Sequence, residues 1–255
     1  MRYLLPSLWK KITMAFIPLD VLKTGASELG IDLSDRQLDL LDKFASLLVD
    51  ANRQLNLTRI TEPEDIVTKH YLDSLLYLWT FDFVEGASVV DVGAGAGFPG
   101  IPIKIARPDL RVVLLDSTAK KVRFLEHAIS KLALDDVEAV HGRAEDLAHQ
   151  KNYREQFDAA VARALAELKI LAELCLPFVR VGGGVVASKG EEIDDELAAA
   201  RSVIGQLGGV VEKTVRTHIP CTNVGRRLIV ITKARQTSAQ FPRSYAQISR
   251  RKNRK

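Results

Sequence analysis

A glycine-rich turn is the first feature of this sequence that indicates chemistry. It spans Asp91 to Gly100 with the sequence Asp-Val-Gly-Ala-Gly-Ala-Gly-Phe-Pro-Gly, after a short β-branched run and before a segment of helical pattern. Glycines at the end of a strand allow a sharp turn, and they let the backbone approach a ligand because no Cβ intervenes. The turn therefore predicts a nucleotide-like cofactor.

The spacing of the glycines separates two classes of cofactor. A dinucleotide site with the pattern G-x-G-x-x-G would need a glycine where this chain has Phe98, whereas Gly93, Gly95 and Gly97 follow G-x-G-x-G. Asp91, at the end of the strand, would repel a pyrophosphate but attract the ammonium end of S-adenosylmethionine. We therefore expect S-adenosylmethionine as the cofactor and no metal ion. A glycine turn without a ligand is the alternative.

Two further segments fit the same cofactor. Asp116 ends the second apolar run about 20 residues after the glycines, where a carboxylate can accept hydrogen bonds from both hydroxyls of a ribose. NAD enzymes place an acid there too, and Asp116 could also cap the following helix. Residues 142–146 follow the third run, and we expect Ala144 and Glu145 to enclose the adenine. A capped helix start is the alternative there.

These segments need a sheet whose strands end side by side. Short β-branched runs separated by helical segments predict five buried parallel strands, and two more strands follow with no strong helix between them. The runs are Ser88 to Val92, Arg111 to Leu115, Val137 to Val140, Phe157 to Val161, Gly184 to Ser188, Val210 to Arg216 and Leu228 to Thr232. We expect an α/β fold with a Rossmann-like, doubly wound, mostly parallel seven-stranded sheet and an antiparallel edge hairpin.

Two helical patterns precede the sheet. Ser34 with Gln37 three residues later has the spacing of a capping box, and apolar residues at helical spacing follow on one face. A second pattern begins near Pro63 and continues toward Trp79. The sequence therefore predicts an N-terminal helical cap on the sheet.

Composition limits the class of protein. The chain has 255 residues, of which 47% are hydrophobic and 27% charged, as in folded globular proteins. Cys175 and Cys221 are too few for a disulfide framework, and no apolar run approaches the length of a membrane span. We therefore expect a cytoplasmic protein.

Charge is distributed unevenly along the chain. Residues 213–255 carry 12 Lys and Arg and no acid, whereas residues 1–212 carry 24 Lys and Arg against 32 Asp and Glu. Such a basic C-terminal arm predicts contact with a polyanion, and the commonest one in a cytosol is a phosphate backbone. A solvated tail is the alternative.

Several short motifs, taken together, are more specific than the glycine turn. The most specific are Gly97 to Pro102 (Gly-Phe-Pro-Gly-Ile-Pro) and Leu115 to Ser117 (Leu-Asp-Ser). The others are Asn56 to Thr58, His70 to Ser74, Lys120 to Leu125, Arg163-Ala164, Lys189-Gly190 and Arg226 to Leu228. Over about residues 34–235 the set closely resembles the bacterial small-subunit ribosomal RNA guanine-N7 methyltransferases, also called the glucose-inhibited division protein B family.

The resemblance implies a fold and a reaction. It implies a class I methyltransferase fold, S-adenosylmethionine as methyl donor, N7 of one guanine in 16S rRNA as acceptor, and Phe98 and Ser117 among the cofactor-binding residues. N7 is a neutral nitrogen with an available lone pair, so it attacks the sulfonium methyl without first losing a proton. No general base is then required, and catalysis should come mostly from proximity and orientation.

Groups needed for other methylations are missing from the sequence. The D/N-P-P-Y/F turn that usually serves methylation of exocyclic amines is replaced after the fourth run by Ala162 to Leu165. Carbon methylation of a pyrimidine needs a cysteine nucleophile. We expect both cysteines to be ordinary small residues instead, since Cys175 lies in a predicted helix and Cys221 follows Pro220 in a loop.

Basic side chains are expected to hold the guanosine, and two of them are the catalytic candidates. Arg163, at the end of the fourth strand, should bind an oxygen of the substrate or of the cofactor carboxylate, with a salt bridge to Glu167 or Asp158 as the alternative. Lys189, after the fifth strand, should contact a phosphate. Further RNA contacts are expected from His70, Lys120, Arg123, Arg226, Arg227 and Arg243. A packed His70 and a solvated helix face at Lys120 and Arg123 are the alternatives.

Partners and domain limits follow from these expectations. We expect 16S rRNA or the small ribosomal subunit as partner, no membrane, and a monomer. The expected division is an uncertain N-terminal extension (1–33), a helical cap (34–82), a methyltransferase core (83–235) and a basic C-terminal tail (236–255), with Met14 as an alternative first residue. Two other functions stay open: a non-catalytic RNA-binding or ribosome-assembly factor that keeps the pocket, and a same-fold methyltransferase of a small molecule or protein.

Overall fold

The computed structural model describes residues 15–250. Its helices are α1 (Leu19–Glu28), α2 (Asp35–Leu55), α3 (Pro63–Asp65), α4 (Asp73–Thr80), α5 (Gly100–Ala106), α6 (Ala119–Leu132), α7 (Ala144–Leu147), α8 (Leu168–Cys175), α9 (Asp194–Gln206) and α10 (Tyr245–Arg250). A π-helical segment, Ile66–Leu72, joins α3 to α4, and a 3₁₀ turn, Leu176–Phe178, follows α8. The strands are β1 (Ser88–Val92), β2 (Arg111–Asp116), β3 (Val137–His141), β4 (Phe157–Arg163), β5 (Val179–Lys189), β6 (Gly209–His218) and β7 (Gly225–Lys233). The choice between Met1 and Met14 and the basic residues 251–255 lie outside the described residues.

The seven strands form one sheet in the order β3-β2-β1-β4-β5-β7-β6. Neighbouring strands are parallel except that β7 runs antiparallel to both β5 and β6. This confirms the predicted doubly wound sheet with its edge hairpin, and each predicted run lies within one of these strands. The expectation that β3 is buried is wrong: none of its residues is fully buried, because it is the edge strand and only the four-residue helix α7 follows it.

The N-terminal helices confirm the predicted cap. The Ser34 hydroxyl accepts the Gln37 backbone N–H, and the Gln37 side-chain oxygen accepts the Ser34 backbone N–H, so the capping box forms at the start of α2. The second helical pattern folds as α3, the π-helical segment and α4 in direct succession. No helix within residues 15–250 is long and apolar enough to cross a membrane.

Helix α1 is an element that the sequence analysis did not predict. It lies inside the stretch expected to be an extension, and its fully buried residues are only Leu22, Gly25 and Ala26. Gly25 allows a close approach to the π-helical segment, because a Cβ there would come within 2.5 Å of Leu72 Cδ1. A glycine inside a helical pattern weakens the signal for a helix, although here it serves packing.

The cap and the sheet share one hydrophobic core. Side chains of α2 and the π-helical segment are buried together with residues of β1, β2 and α5 on one face of the sheet. The Tyr77 hydroxyl of α4 donates to the Ala162 carbonyl at 2.7 Å and accepts the Ser188 N–H at 3.2 Å. The cap is therefore fixed to the carboxyl ends of β4 and β5.

The C-terminal segment differs from the expected tail. Residues 236–250 pack on the opposite face of the sheet, where Phe241 and Ile248 belong to the second hydrophobic cluster with α8 and α9. The Arg154 guanidinium donates to the carbonyls of Thr237 and Phe241 at 2.7 and 2.8 Å. These apolar anchors and backbone bonds fold the segment onto the body, so the expected tail does not begin at residue 236.

Candidate functional site

The glycine turn closes over the end of β2. Gly93, Gly95 and Gly97 have φ of +78°, +60° and +96°, a region that favours glycine. The N–H groups of Gly93 and Ala94 donate to the Leu115 carbonyl at 2.8 and 2.9 Å. This arrangement places the turn at the point where the strand order reverses between β1 and β4, which is where α/β sheets of this kind bind ligands.

Asp91 lies fully buried beneath this turn. Its Oδ2 accepts the Gly100 N–H at 2.8 Å and so holds the start of α5, whereas Oδ1 has no hydrogen-bond partner among the described residues. Burial raises the pKa of Asp91 to about 7, although the Gly100 N–H and the charge of Arg163 act in the opposite direction. A buried carboxylate with an unpartnered oxygen is a site that a ligand cation would stabilise.

Asp116 connects the glycine turn to α6. Its Oδ2 accepts the Gly95 N–H at 3.0 Å, its Oδ1 accepts the Thr118 N–H at 2.8 Å, and Lys121 Nζ lies 3.6 Å from Oδ2. The alternative role as N-cap is not the one observed, because the N-cap of α6 is Thr118 and Asp116 binds the N–H of that residue instead of an N–H inside the helix. An ionised carboxylate has about four lone-pair sites, so these bonds leave acceptor capacity for ribose hydroxyls.

A cavity of about 260 Å³ joins the segments expected to hold the adenosine. Its lining residues are Val92, Gly93, Leu115, Asp116, Ser117, Gly142, Arg143, Ala144, Glu145, Leu165, Leu174 and Tyr245. The expected residues Gly93, Asp116, Ser117, Ala144 and Glu145 are thus brought together. Asp91, Gly95 and Gly97 lie in or under the same turn but outside this lining.

Phe98 differs from the expectation of a cofactor contact. It is buried, and its ring stacks on the His70 ring with centroids 4.0 Å apart and planes within 7°. The Phe44 ring lies 5.4 Å away by centroids. Phe98 therefore fastens the glycine turn to the cap, because an aromatic ring buries a large apolar area and packs well against other rings.

Arg163, at the carboxyl end of β4, is held by the cap. Its Nη1 donates to the Lys69 carbonyl at 2.9 Å and lies 3.2 Å from Asp73 Oδ2, and its Nη2 donates to His70 Nδ1 at 2.8 Å. The guanidinium carbon lies 5.1 Å from the centre of the Phe98 ring. Its position is therefore fixed before any substrate arrives.

Asp73 is the centre of this charge cluster, and the sequence analysis did not single it out. Its side chain is 4% exposed, and Oδ1 lies 2.8 Å from Arg226 Nε while Oδ2 binds Arg163. Two guanidinium groups thus share one buried carboxylate. The alternative partner Asp158 pairs with Arg180 instead. The available signal was an acid placed among the leucines of the stretch from Leu72 to Leu76.

His70 is packed and neutral rather than exposed to RNA. Because a guanidinium only donates, His70 Nδ1 accepts from Arg163, and the proton on Nε2 points to Thr58 Oγ1 at 3.0 Å. Burial, and next the charge of Arg163, lower the pKa of His70 to about 3. Its ring therefore positions Arg163, which corrects the expectation of an RNA contact.

Three other expected contacts are engaged in ion pairs of the folded chain. Lys189 Nζ lies 2.6 Å from Glu196 Oε1 and donates to the Ala166 carbonyl at 2.6 Å. Arg227 Nη2 lies 3.3 Å from Asp194 Oδ1. Arg243 Nε donates to the fully buried Glu173 at 2.7 Å. Lys189 and Arg243 therefore hold elements together instead of facing a phosphate, because Glu196 and Glu173 neutralise them.

Lys120, Arg123 and the two cysteines have surroundings that fit the interpretations considered for them, a solvated helix face and ordinary small residues. Lys120 and Arg123 are exposed on α6, close to the cavity residues Asp116 and Ser117 in the sequence. Burial raises the pKa of Cys175. Cys221 lies on the surface with its Sγ 3.7 Å from Glu28 Oε1, and partial burial, followed by the charge and the hydrogen bond of Glu28, raises the pKa of its thiol. Neither thiol is poised as a nucleophile, in agreement with the expectation.

Comparison with known proteins gives one consistent result. A family model described as rRNA small subunit methyltransferase G (GidB) matches residues 37–228. The protein named ribosomal RNA small subunit methyltransferase G from Alkaliphilus oremlandii is 43% identical over 224 residues, which cover 88% of this chain and 94% of that protein. Its namesake from Lactobacillus acidophilus is 44% identical over 219 residues, covering 85% and 91%.

Solved structures support the fold alone. A chain in the complex between the Trm112 methyltransferase activator of Haloferax volcanii and a methyltransferase superposes with a TM-score of 0.55. It is 14% identical, and the match covers 76% of this chain and 98% of that chain. The fold is therefore that of the class I methyltransferases.

Proposed function

This chain belongs to the rRNA small subunit methyltransferase G family, and from that premise we propose that it transfers the methyl group of S-adenosylmethionine to N7 of one guanine in 16S rRNA. Family membership makes the chain a methyltransferase of small-subunit rRNA. What we propose is the acceptor atom, N7, and a single guanine of 16S rRNA as the acceptor base. One observation supports the choice of N7: a fixed guanidinium, Arg163, ends β4, the neighbour of β1, whose last residue Val92 lines the cavity. Transfer to N7 needs no proton acceptor at this edge of the sheet.

The residues of the cavity fit the cofactor. Asp116 offers a carboxylate for ribose hydroxyls, and Ala144 and Glu145 offer backbone groups around an adenine. Asp91 lies under the glycine turn, outside the cavity lining, and its unpartnered Oδ1 is the anion that we assign to the ammonium group. When bound there, S-adenosylmethionine supplies a methyl group activated by its sulfonium. Leu165 and Leu174 line the cavity with apolar surface.

We assign to Arg163 the task of binding an oxygen of the guanosine or of the cofactor carboxylate. A guanidinium has five N–H donors, so Arg163 can bind one more oxygen while it stays bound to Asp73 and His70. The guanine becomes cationic on methylation, so Arg163 should face its O6 or a phosphate rather than N7. Holding the base in line with the methyl group is then the main contribution to the rate.

The RNA surface is proposed from the basic residues around this edge of the sheet. Arg226 at the start of β7 is 22% exposed, and Lys120 and Arg123 are exposed on α6. Phosphate contacts from such residues position a strand without reading its sequence. Arg227 can contribute to the same rim while paired with Asp194. A monomer that acts in the cytoplasm on 16S rRNA or the small subunit completes the proposal.

Deletion of this chain tests the function in the cell. We expect 7-methylguanosine to disappear from small-subunit rRNA in the deletion strain and to return when the wild-type chain is supplied. Asp116→Ala should fail to restore it, because the variant loses the carboxylate that holds the ribose. Glu126→Ala, which removes an exposed acid from the following helix α6, is the control and should restore it. Unchanged 7-methylguanosine after deletion would instead favour a non-catalytic assembly factor.

A further inference from the structure

The outer side of the cofactor cavity is formed by a residue from the C-terminal segment. Tyr245, in α10, lines the cavity together with Asp116, Ser117 and Ala144. The family model ends at residue 228, so Tyr245 lies well beyond it. Tyr245 is 42% exposed, so the residue is not enclosed by the protein alone.

The position of Tyr245 is fixed by the residues around it. Arg243 binds the fully buried Glu173 through its side chain and through its backbone N–H, at 2.7 and 3.0 Å. His149 Nε2 lies 2.8 Å from the Pro242 carbonyl, and Ile248 is buried in the core. Anchors on both sides therefore present Tyr245 to the cavity as part of the folded body.

We propose that Tyr245 is a cofactor-binding residue that packs against the adenosine of S-adenosylmethionine and closes the outer side of its pocket. The inference rests on the proposed cofactor. An adenine has two flat apolar faces, and the cavity already offers Leu165 and Leu174 beside Tyr245. An aromatic ring stacks on such a face without reading the base, and it gains burial when the ligand enters.

The proposal also assigns a role to the C-terminal segment. Residues 241–250 carry the wall of the pocket, and the Arg243–Glu173 pair holds that wall against α8. Arg243, which was expected to contact RNA, instead positions the cofactor-binding residue Tyr245. The outer side of the pocket is thus formed by one residue, Tyr245, that lies beyond the part of the chain matched by the family model.

Binding of S-adenosylhomocysteine to the full-length protein, measured by titration calorimetry, tests this inference. We expect Tyr245→Ala to raise the Kd about tenfold, and Tyr245→Phe to keep it within about threefold, because stacking on a base needs the ring. Trp79→Ala is the matched control: it removes another exposed aromatic side chain, outside the cavity lining, and should leave the Kd unchanged. Thermal unfolding without ligand should be similar for all four proteins.

Two outcomes contradict different claims. A Tyr245→Ala protein that binds S-adenosylhomocysteine as tightly as wild type overturns the assignment of Tyr245 while the proposed function stands. If Tyr245→Phe lowers the affinity for S-adenosylhomocysteine as much as Tyr245→Ala does, stacking of the ring is not the reason for the effect. If the wild-type protein does not bind S-adenosylhomocysteine at all, the proposed cofactor is wrong and so is the proposed function.

Discussion

Replacing Asp73 with alanine is expected to lower the free energy of unfolding by about 3–5 kcal/mol. Its carboxylate is 4% exposed and lies between Arg163 and Arg226, at 3.2 and 2.8 Å. Without it, two guanidinium groups face each other in a buried site with no compensating charge, and removal of one partner from a buried ionic group is costly for that reason. Chemical denaturation of the ligand-free protein at neutral pH measures the change.

A second variant, in the neighbouring helix α3, shows how much of the stability loss is due to burial of the carboxylate and how much to loss of its charge. Asp65 pairs with Lys69 at 2.8 Å, but these side chains are 39% and 45% exposed. Asp65→Ala should therefore cost less than about 1 kcal/mol, since exposed ion pairs contribute little. If the two variants lost equal stability, Asp73 would not be the buried centre that holds the cap to β4 and β7.

The affinity for S-adenosylmethionine should rise about fiftyfold between pH 5 and pH 7. Burial raises the pKa of Asp91 to about 7, so the carboxyl is largely protonated at pH 5 in the ligand-free protein. A ligand ammonium favours the ionised form, so a proton must leave on binding at pH values below 7. The Kd should fall about tenfold per pH unit below that point, level off near pH 7, and rise again above about pH 8, where the ammonium of the free ligand loses its own proton.

Two controls isolate the ammonium group and Asp91. Asp91→Asn should remove the pH dependence below pH 7 because asparagine does not titrate. Methylthioadenosine lacks the amino acid part of the cofactor, so its Kd should not change with pH in the wild-type protein. A pH dependence that persists in Asp91→Asn would show that another group receives the ammonium.

The stability of the ligand-free protein carries two opposing pH effects near the site. Asp91 has a pKa raised from 3.8 to about 7, so its contribution to stability is lost as the pH rises from about 4 to 7. His70 has a pKa lowered from 6.5 to about 3, so its contribution is lost as the pH falls from 6.5 toward 3. The two effects partly cancel between pH 4 and 6.5. Ligand binding therefore reports the state of Asp91 more clearly than unfolding does.

The sheet and the cofactor turn could be predicted because their signals are local. A short β-branched run is apolar enough to mark a strand wherever it occurs, and the spacing of Gly93, Gly95 and Gly97 identifies the turn on its own. The capping box at Ser34 spans only four residues and was equally visible. These elements need no knowledge of what packs against them.

The charge cluster could not be predicted because its members are far apart in the chain. Asp73, Arg163 and Arg226 meet only when the cap docks on the ends of β4 and β7. Residues 213–255 contain no acid, so the sequence alone suggested that their Lys and Arg side chains have no ion-pair partners. The structure pairs Arg226, Lys233 and Arg243 with acids from earlier in the chain, which a count of charges does not reveal.

Tyr245 shows a different limit. A single tyrosine in a basic C-terminal stretch has no pattern that marks it as part of a pocket. Its place follows from two apolar anchors, Phe241 and Ile248, which are too few to predict that the segment folds. The position of Tyr245 at the cavity therefore depends on packing between residues that are far apart in the chain.

The most direct test of the account is methyl transfer by the purified protein. Small-subunit RNA from the deletion strain, both naked and in particles, is incubated with S-adenosylmethionine labelled in its methyl group, and the RNA is then digested to nucleosides. We predict that the label is found in 7-methylguanosine and that Asp116→Ala transfers far less. Label in a different nucleoside, or none in either form of the RNA, would contradict the assignment of guanine N7 as the acceptor.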